Sequence, residues 1–209
     1  MMSSNTNFVL RTLTFIDSLQ PQLAQFMAKA NMVDDPAEYD AALIMEIAPA
    51  MEIHALVDLA LKATKVRLGS LITEREFGIM EIHHADQGEV LEACRTILHA
   101  INVAENDRAK IQILTNKIIR GVEQDHAVLF TAAGNGNMVL AGESIFLLET
   151  KPAAYVAIMA NEALKAANIK LIELKGDGAT GRLILSGNES EIDSAAEAAL
   201  KVIEKINNH

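Results

Sequence analysis

The chain has 209 residues, enough for one large domain or for two of about 100 residues, each with a modest core. Hydrophobic residues make up 50% of it while aromatics make up only 4%, so the apolar mass is aliphatic and suits small helices laid closely on sheets. The formal net charge of −10 argues against a polyanionic partner, because counterion release needs clustered Lys and Arg, and no nucleic acid is expected.

The first stretch, "MMSSNTNFVLRT", has no basic segment followed by a long apolar run, and no secretory signal is expected. A strand follows at "FVLRTLTFI" (8–16), then an acidic loop, "AKANMVDDPAEYD" (28–40), and an apolar strand at 41–47. Pro49 suits the first turn of a helix, where its missing N–H is not needed. Ile53, Leu56, Val57, Ala60 and Leu61 line one face of that helix, and Glu52, Asp58 and Lys62 the other. Glu46, Pro49, Glu52, His54 and Asp58 interrupt the apolar stretch 41–61 too often for a membrane-spanning helix. Two strands, 66–73 and 78–84, turn at "TEREFG", and a helix begins at Asp86-x-x-Glu89, where a short oxygen-bearing side chain can cap free N–H groups. Cys94 lies on the apolar stripe of this helix and reads as inert core. Being the one cysteine, it forms no internal disulfide and supplies no thiolate set for zinc or an iron–sulfur cluster.

The second half repeats this order. A strand at "IQILTNKII" (111–119) leads to a strand at 144–150, then Pro152 and a helix with Val156, Met159, Ala160, Ala163 and Leu164 on one face. Strands at 169–175 and 181–187 turn at "GDGATG", and a last helix begins at Ser190-x-x-Asp193. Glu46 meets Glu149, 103 positions on; at the same offset Thr12 meets Thr115, Pro49 meets Pro152, Ala60-Leu61-Lys62-Ala63 meets Ala163-Leu164-Lys165-Ala166, and Gly78 meets Gly181. The chain therefore reads as two copies of one domain, 1–104 and 105–209. Within each copy the order is β, β-α-β-β-α, the ferredoxin-like order with its last strand moved to the front. The fold class is α+β: two tandem, circularly permuted ferredoxin-like domains, each a four-stranded antiparallel sheet flanked by helices.

Other signals carry little chemistry. His83 and His84 are adjacent on a strand and face opposite sides, so with Asp86 nearby they still read as solvated or half-buried side chains rather than metal ligands. "GNGN" (134–137) lacks the following helix and Lys of a phosphate-cradling loop and reads as a mobile hairpin between strands. No Ser/His/Asp or Cys/His grouping has catalytic spacing, so no enzyme, cofactor or metal is expected. Glu74, Arg75 and Glu76, taken alone, read as the solvated tip of a hairpin.

The segments "LRTLTFIDSLQPQLAQFM" (10–27), "ALKATKVRLGSLITEREFG" (60–78), "SIFLLETKPAAYVAIMANEALKAANI" (144–169) and "GRLILSG" (181–187) change that reading. Together with the permuted double plan they resemble the tandem-domain, trimeric shell proteins of bacterial microcompartments, of the gated-pore type found in carboxysome shells. The resemblance covers nearly the whole chain and implies a structural protein of the shell of a cytoplasmic organelle, with no membrane partner. It implies a homotrimer shaped as a pseudohexameric tile, in some members two trimers stacked face to face, packed beside hexameric and pentameric shell proteins. It also implies a three-fold pore for small charged metabolites, gated by Glu74 and Arg75, with Asp177 and Gly178 of the second hairpin on the same axis. Lys62 and Lys165 match the lysine that family members carry at the tile edge. Two features depart from the family: the loop 28–40 is short and acidic where relatives have a Gly/Pro-rich one, and Thr180 stands where an aromatic is common. A second reading stays open, a soluble regulator that binds a small molecule between two ferredoxin-like domains.

Overall fold

The computed structural model describes residues 8–30, 33–134 and 136–208, so Asn31, Met32 and Asn135 within the two loops named above lie outside the described residues. The first repeat contains β1 (Val9–Ile16), α1 (Pro21–Ala30), β2 (Ala41–Ala48), α2 (Ile53–Ala63), β3 (Arg67–Glu74), β4 (Phe77–His84) and α3 (Gln87–Ile101). The second contains β5 (Gln112–Ile119), α4 (Gln124–Ala133), β6 (Ser144–Lys151), α5 (Val156–Ala166), β7 (Lys170–Lys175), β8 (Gly181–Gly187) and α6 (Glu189–Asn207). Each repeat forms one four-stranded sheet, in the orders β1-β2-β4-β3 and β5-β6-β8-β7, antiparallel throughout.

The offset of the sequence repeat is also the offset of the fold. The irregularity between Leu10 and Thr12 in β1 recurs between Ile113 and Thr115 in β5, and that between Leu68 and Ser70 in β3 recurs between Leu171 and Glu173 in β7. Gly78 and Gly181 are pressed so closely against Ala50 O and Ala153 O that a Cβ has no room at either place.

Each sheet buries one face under two helices. Leu43, Met45, Met80 and Ile82 pack on Leu56, Ala60, Val90 and Ile97 of α2 and α3. Phe146, Leu148, Leu183 and Leu185 pack in the same way on Met159, Ala163, Ala195 and Ala199 of α5 and α6. The small alanines on these helices let them lie near the sheet, as the aliphatic composition implies.

Four expectations need correction. Helices α1 and α4 occupy stretches read as loop or left unassigned; Leu23, Ala24, Phe26 and Met27 bury one side of α1 against the first sheet and the second repeat. Pro49 stands just before a 3-10 turn, Ala50–Glu52, that runs directly into α2, but Pro152 does not begin a helix, since the chain first turns over Gly181 before α5 starts. Asp86 caps α3 as expected, accepting from Gly88 N at 2.8 Å, but α6 starts earlier than Ser190, at Glu189, with Glu189 and Glu191 favourably placed in its first turn. "GNGN" is not a hairpin between strands: Gly136 N and Asn137 N donate to Ile172 O and Leu171 O, which lays this segment along β7 after α4.

The two repeats meet along a seam built from one side of each. Leu19, Leu23, Phe26 and Ile44 share a cluster with Tyr155, Met159 and Ile169. Several polar groups inside the seam are matched across it, as burial favours. Buried Asn161 accepts from Gln20 N (2.9 Å) and donates to Ser18 O (3.2 Å); Gln22 donates to Ile169 O (2.7 Å) and accepts from Leu171 N (3.0 Å). The Tyr155 hydroxyl donates to Ala109 O at 2.7 Å, and its burial pushes its pKa up.

Candidate functional site

The β3–β4 hairpin closes on the pairs Thr73↔Gly78 and Glu74↔Phe77, leaving a two-residue turn of Arg75 and Glu76. Arg75 takes a left-handed backbone, φ 55°, as does its counterpart Gly178 at φ 91°. Glycine pays no Cβ penalty there, whereas arginine does, of order 1 kcal/mol. Such a cost at an exposed tip points toward use rather than stability. The Arg75 Nε lies 3.7 Å from Glu74 Oε1, and Arg75 is 85% exposed, so this pair is weak and free to rearrange.

The second tip is wider. The last β7–β8 pair is Lys175↔Arg182, which leaves a six-residue loop, 176–181, of small residues and Asp177. Beneath it Glu149 accepts from Thr180 Oγ1 (2.8 Å) and Thr115 Oγ1 (3.3 Å), and Arg182 pairs with Glu173 at 3.3 Å.

All four proposed pore residues come together. Glu74, Arg75, Asp177 and Gly178 line one cleft of about 480 Å³, together with Phe77 and Thr180. A second hollow of about 470 Å³ beside the first tip is lined by Val9, Pro49, Met51, Arg75 and Glu76.

The sequence did not single out what lies under this turn. The Arg11 guanidinium covers the Phe77 ring at 3.7 Å, and its Nε donates to Glu46 Oε1 at 2.7 Å. Glu46 is fully buried; its other oxygen accepts from Thr12 Oγ1 (3.2 Å) and from Ala154 N of the second repeat (3.4 Å). The signal available was a pair of carboxylates, at 46 and 149, each inside an apolar strand at the same repeat position.

Lys62 and Lys165 lie away from the cleft and in unlike surroundings. Lys62 is exposed and pairs at 2.5 Å with Asp58 on its own helix. Lys165 bridges Asp17 (2.7 Å) and Glu162 (3.0 Å). Partial burial works against its charge, but the hydrogen bonds to the two carboxylates hold its pKa up, and Lys165 in turn holds Asp17 below the usual carboxylate range.

His83 is fully buried, against the reading of a solvated or half-buried ring, with Nδ1 2.9 Å from Glu81 and Nε2 3.4 Å from Asp34. Burial opposes its charged form, yet the hydrogen bond and charge of Glu81, with Asp34, outweigh it and raise the pKa. The ring of His84 points away and accepts from Asp86 N at 2.9 Å. Among the described residues no three His, Cys, Asp or Glu side chains are grouped to hold a metal ion. Nor is any helix among them long and apolar enough to cross a membrane.

Comparison with known proteins bears on all of this. Residues 10–107 match the family model of the CsoS1D N-terminal domain, and residues 144–209 match the BMC domain. The chain is 48% identical to the carboxysome shell protein CsoS1D of Hydrogenovibrio crunogenus, over 94% of this chain and 97% of that one. It is 44% identical to CsoS1D of Prochlorococcus marinus (96% and 78% covered) and 40% identical to the carboxysome shell protein CcmP of Synechococcus elongatus (94% and 92%). Among solved structures, the fused permuted hexameric shell protein MSM0275 from the RMM microcompartment superposes with a TM-score of 0.92 at 38% identity, over 94% of this chain and 97% of that one. The double ringed trimeric shell protein MSM0271 from the same compartment gives 0.92 at 32% identity, with 95% and 97% covered. With two permuted shell domains in tandem, this chain belongs to the CsoS1D family of carboxysome shell proteins, and its role is structural, in the shell of a microcompartment.

Proposed function

We propose that three copies of the chain close into a pseudohexameric tile whose centre is a pore gated by the turn at Glu74 and Arg75. The observation that carries this is the shared cleft: the charged tip and the small-residue tip with Asp177 and Gly178 line one space. Three Glu-Arg pairs around an axis can satisfy one another across subunits and close the passage, or turn outward and leave it wide. A ring of charge selects small charged metabolites by sign and size.

Ring closure is supported by the seam. Each chain uses one side of its first repeat against one side of its second, and keeps the counterparts of both surfaces uncovered. Phe26 and Ala154 are buried in the seam, while their counterparts Leu129 and Met51 are 63% and 69% exposed. A contact between unlike surfaces repeats around a ring when its rotation closes. Neighbouring tiles, whether hexameric or pentameric, would meet at an edge carrying Lys62 and Lys165, Lys62 with the greater reach because it is tied only to Asp58 on its own helix. Two such trimers stacked face to face, as the double ringed relative MSM0271 is described, would enclose a chamber between two gates.

The test is Glu74→Ala with Arg75→Ala. The double variant should keep the trimer mass on light scattering and show only wide pores by cryo-electron microscopy. A variant that no longer forms trimers, or a map that puts residues 74 and 75 away from the three-fold axis, would refute the gate. A discrete dimer with ligand-dependent melting would point instead to the regulator reading.

A further inference from the structure

We infer that Arg11 is a positioning residue for the charged tip, acting through the ring of Phe77; this rests on the pore reading above. Arg11 is the extra residue of the β1 irregularity, between the paired residues Leu10 and Thr12. A bulge of this kind re-aims a side chain out of the regular alternation. Here it turns the guanidinium onto Phe77, the residue that closes the turn opposite Glu74. The face of the guanidinium lies on the ring at 3.7 Å while its Nε donates to buried Glu46 at 2.7 Å, so the base of the turn is clamped by a cation–π contact backed by a buried ion pair.

The clamp is not a requirement of the fold. The second repeat has the same irregularity in β5, yet the bulged residue is Leu114 and the residue following the tip is Thr180. There Glu149 is satisfied by two threonine hydroxyls and no guanidinium is involved. Arg11 even leaves its Nη2 buried without a partner, a cost that no fold-level need accounts for. The clamp exists only under the tip that carries the Glu-Arg pair. It confines movement to the side chains at the tip, with Phe77 as the fixed pivot, so that the tip can rearrange without bending the hairpin. Since Glu46 also accepts from Ala154 N, the pivot is fastened to the seam between repeats.

The experiment uses the full chain with Cys94→Ser and Glu76→Cys, spin-labelled at residue 76, and reads distances between labels by pulsed electron paramagnetic resonance. Phe77→Leu removes the ring while leaving the Arg11–Glu46 pair intact, so folding is not put at risk by a bare buried charge. It should change the ratio of tip positions about fivefold, the effect of losing one cation–π contact, at unchanged trimer mass. Phe77→Tyr, which keeps the ring, should restore the parent distribution. Identical distributions for parent and Phe77→Leu would overturn the role of Arg11. Absence of any short distance between labels in the parent trimer would instead overturn the pore reading, and this inference with it.

Discussion

Arg75 occupies a backbone conformation that its counterpart Gly178 adopts without strain. Arg75→Gly should therefore raise stability by about 1 kcal/mol, read as a later urea midpoint, while removing the cation from the tip. His83 gives a second handle. Its folded-state pKa is raised above 6.5, so its contribution is fully present at lower pH and is lost as pH rises through the folded value. His83→Gln should flatten the fall in urea midpoint as the pH rises above 6.5. Cys94 is half-buried, and burial, with Glu105 nearby, pushes its thiol up to about 11, so iodoacetamide should modify it far more slowly at neutral pH than a free thiol. At this scale the two tips were legible as the turns "TEREFG" and "GDGATG", and the repeat pairs 74 with 177 and 75 with 178; only the resemblance gave Glu74 and Arg75 a role. Arg11 and Phe77 were not, since their meeting depends on a bulge in β1 that no residue pattern announces.

Among the elements, helices α2, α3, α5 and α6 follow from periodicity because each has one buried side, and the central strands from their short apolar runs, buried on both faces in β2 and β4. Helix α1 was within reach: Pro21 at its first position and Leu23, Ala24, Phe26 and Met27 at helical spacing are a usable signal. Helix α4 was not, since Ala127 is its only buried residue and no apolar stripe marks it. The strand–turn–helix crossings depend on two glycines. Gly78→Ala and Gly181→Ala force a methyl against the backbone oxygens of Ala50 and Ala153, and each should destabilise by about 1–3 kcal/mol in urea unfolding. Ala at position 88 meets only the Asp86 side chain and should cost less.

For the whole molecule, the repeat and its fold were readable, but the seam was not, because apolar stripes do not say which copy covers them. If the seam recurs between chains, Leu129→Glu should leave a folded monomer that fails to form trimers in sedimentation, since Leu129 is exposed within the chain. Phe26→Ala, at the counterpart inside the chain, should instead destabilise the monomer by about 3 kcal/mol.

The covalent joining of the two sheets has one more effect. In a ring of six identical subunits any substitution at the rim of the hole is imposed six times, and no position can differ from its neighbours. Fusion halves that multiplicity and lets alternate loops inherit changes separately. One loop can then keep a strained arginine and its supporting stack while the other drifts to glycine and alanine.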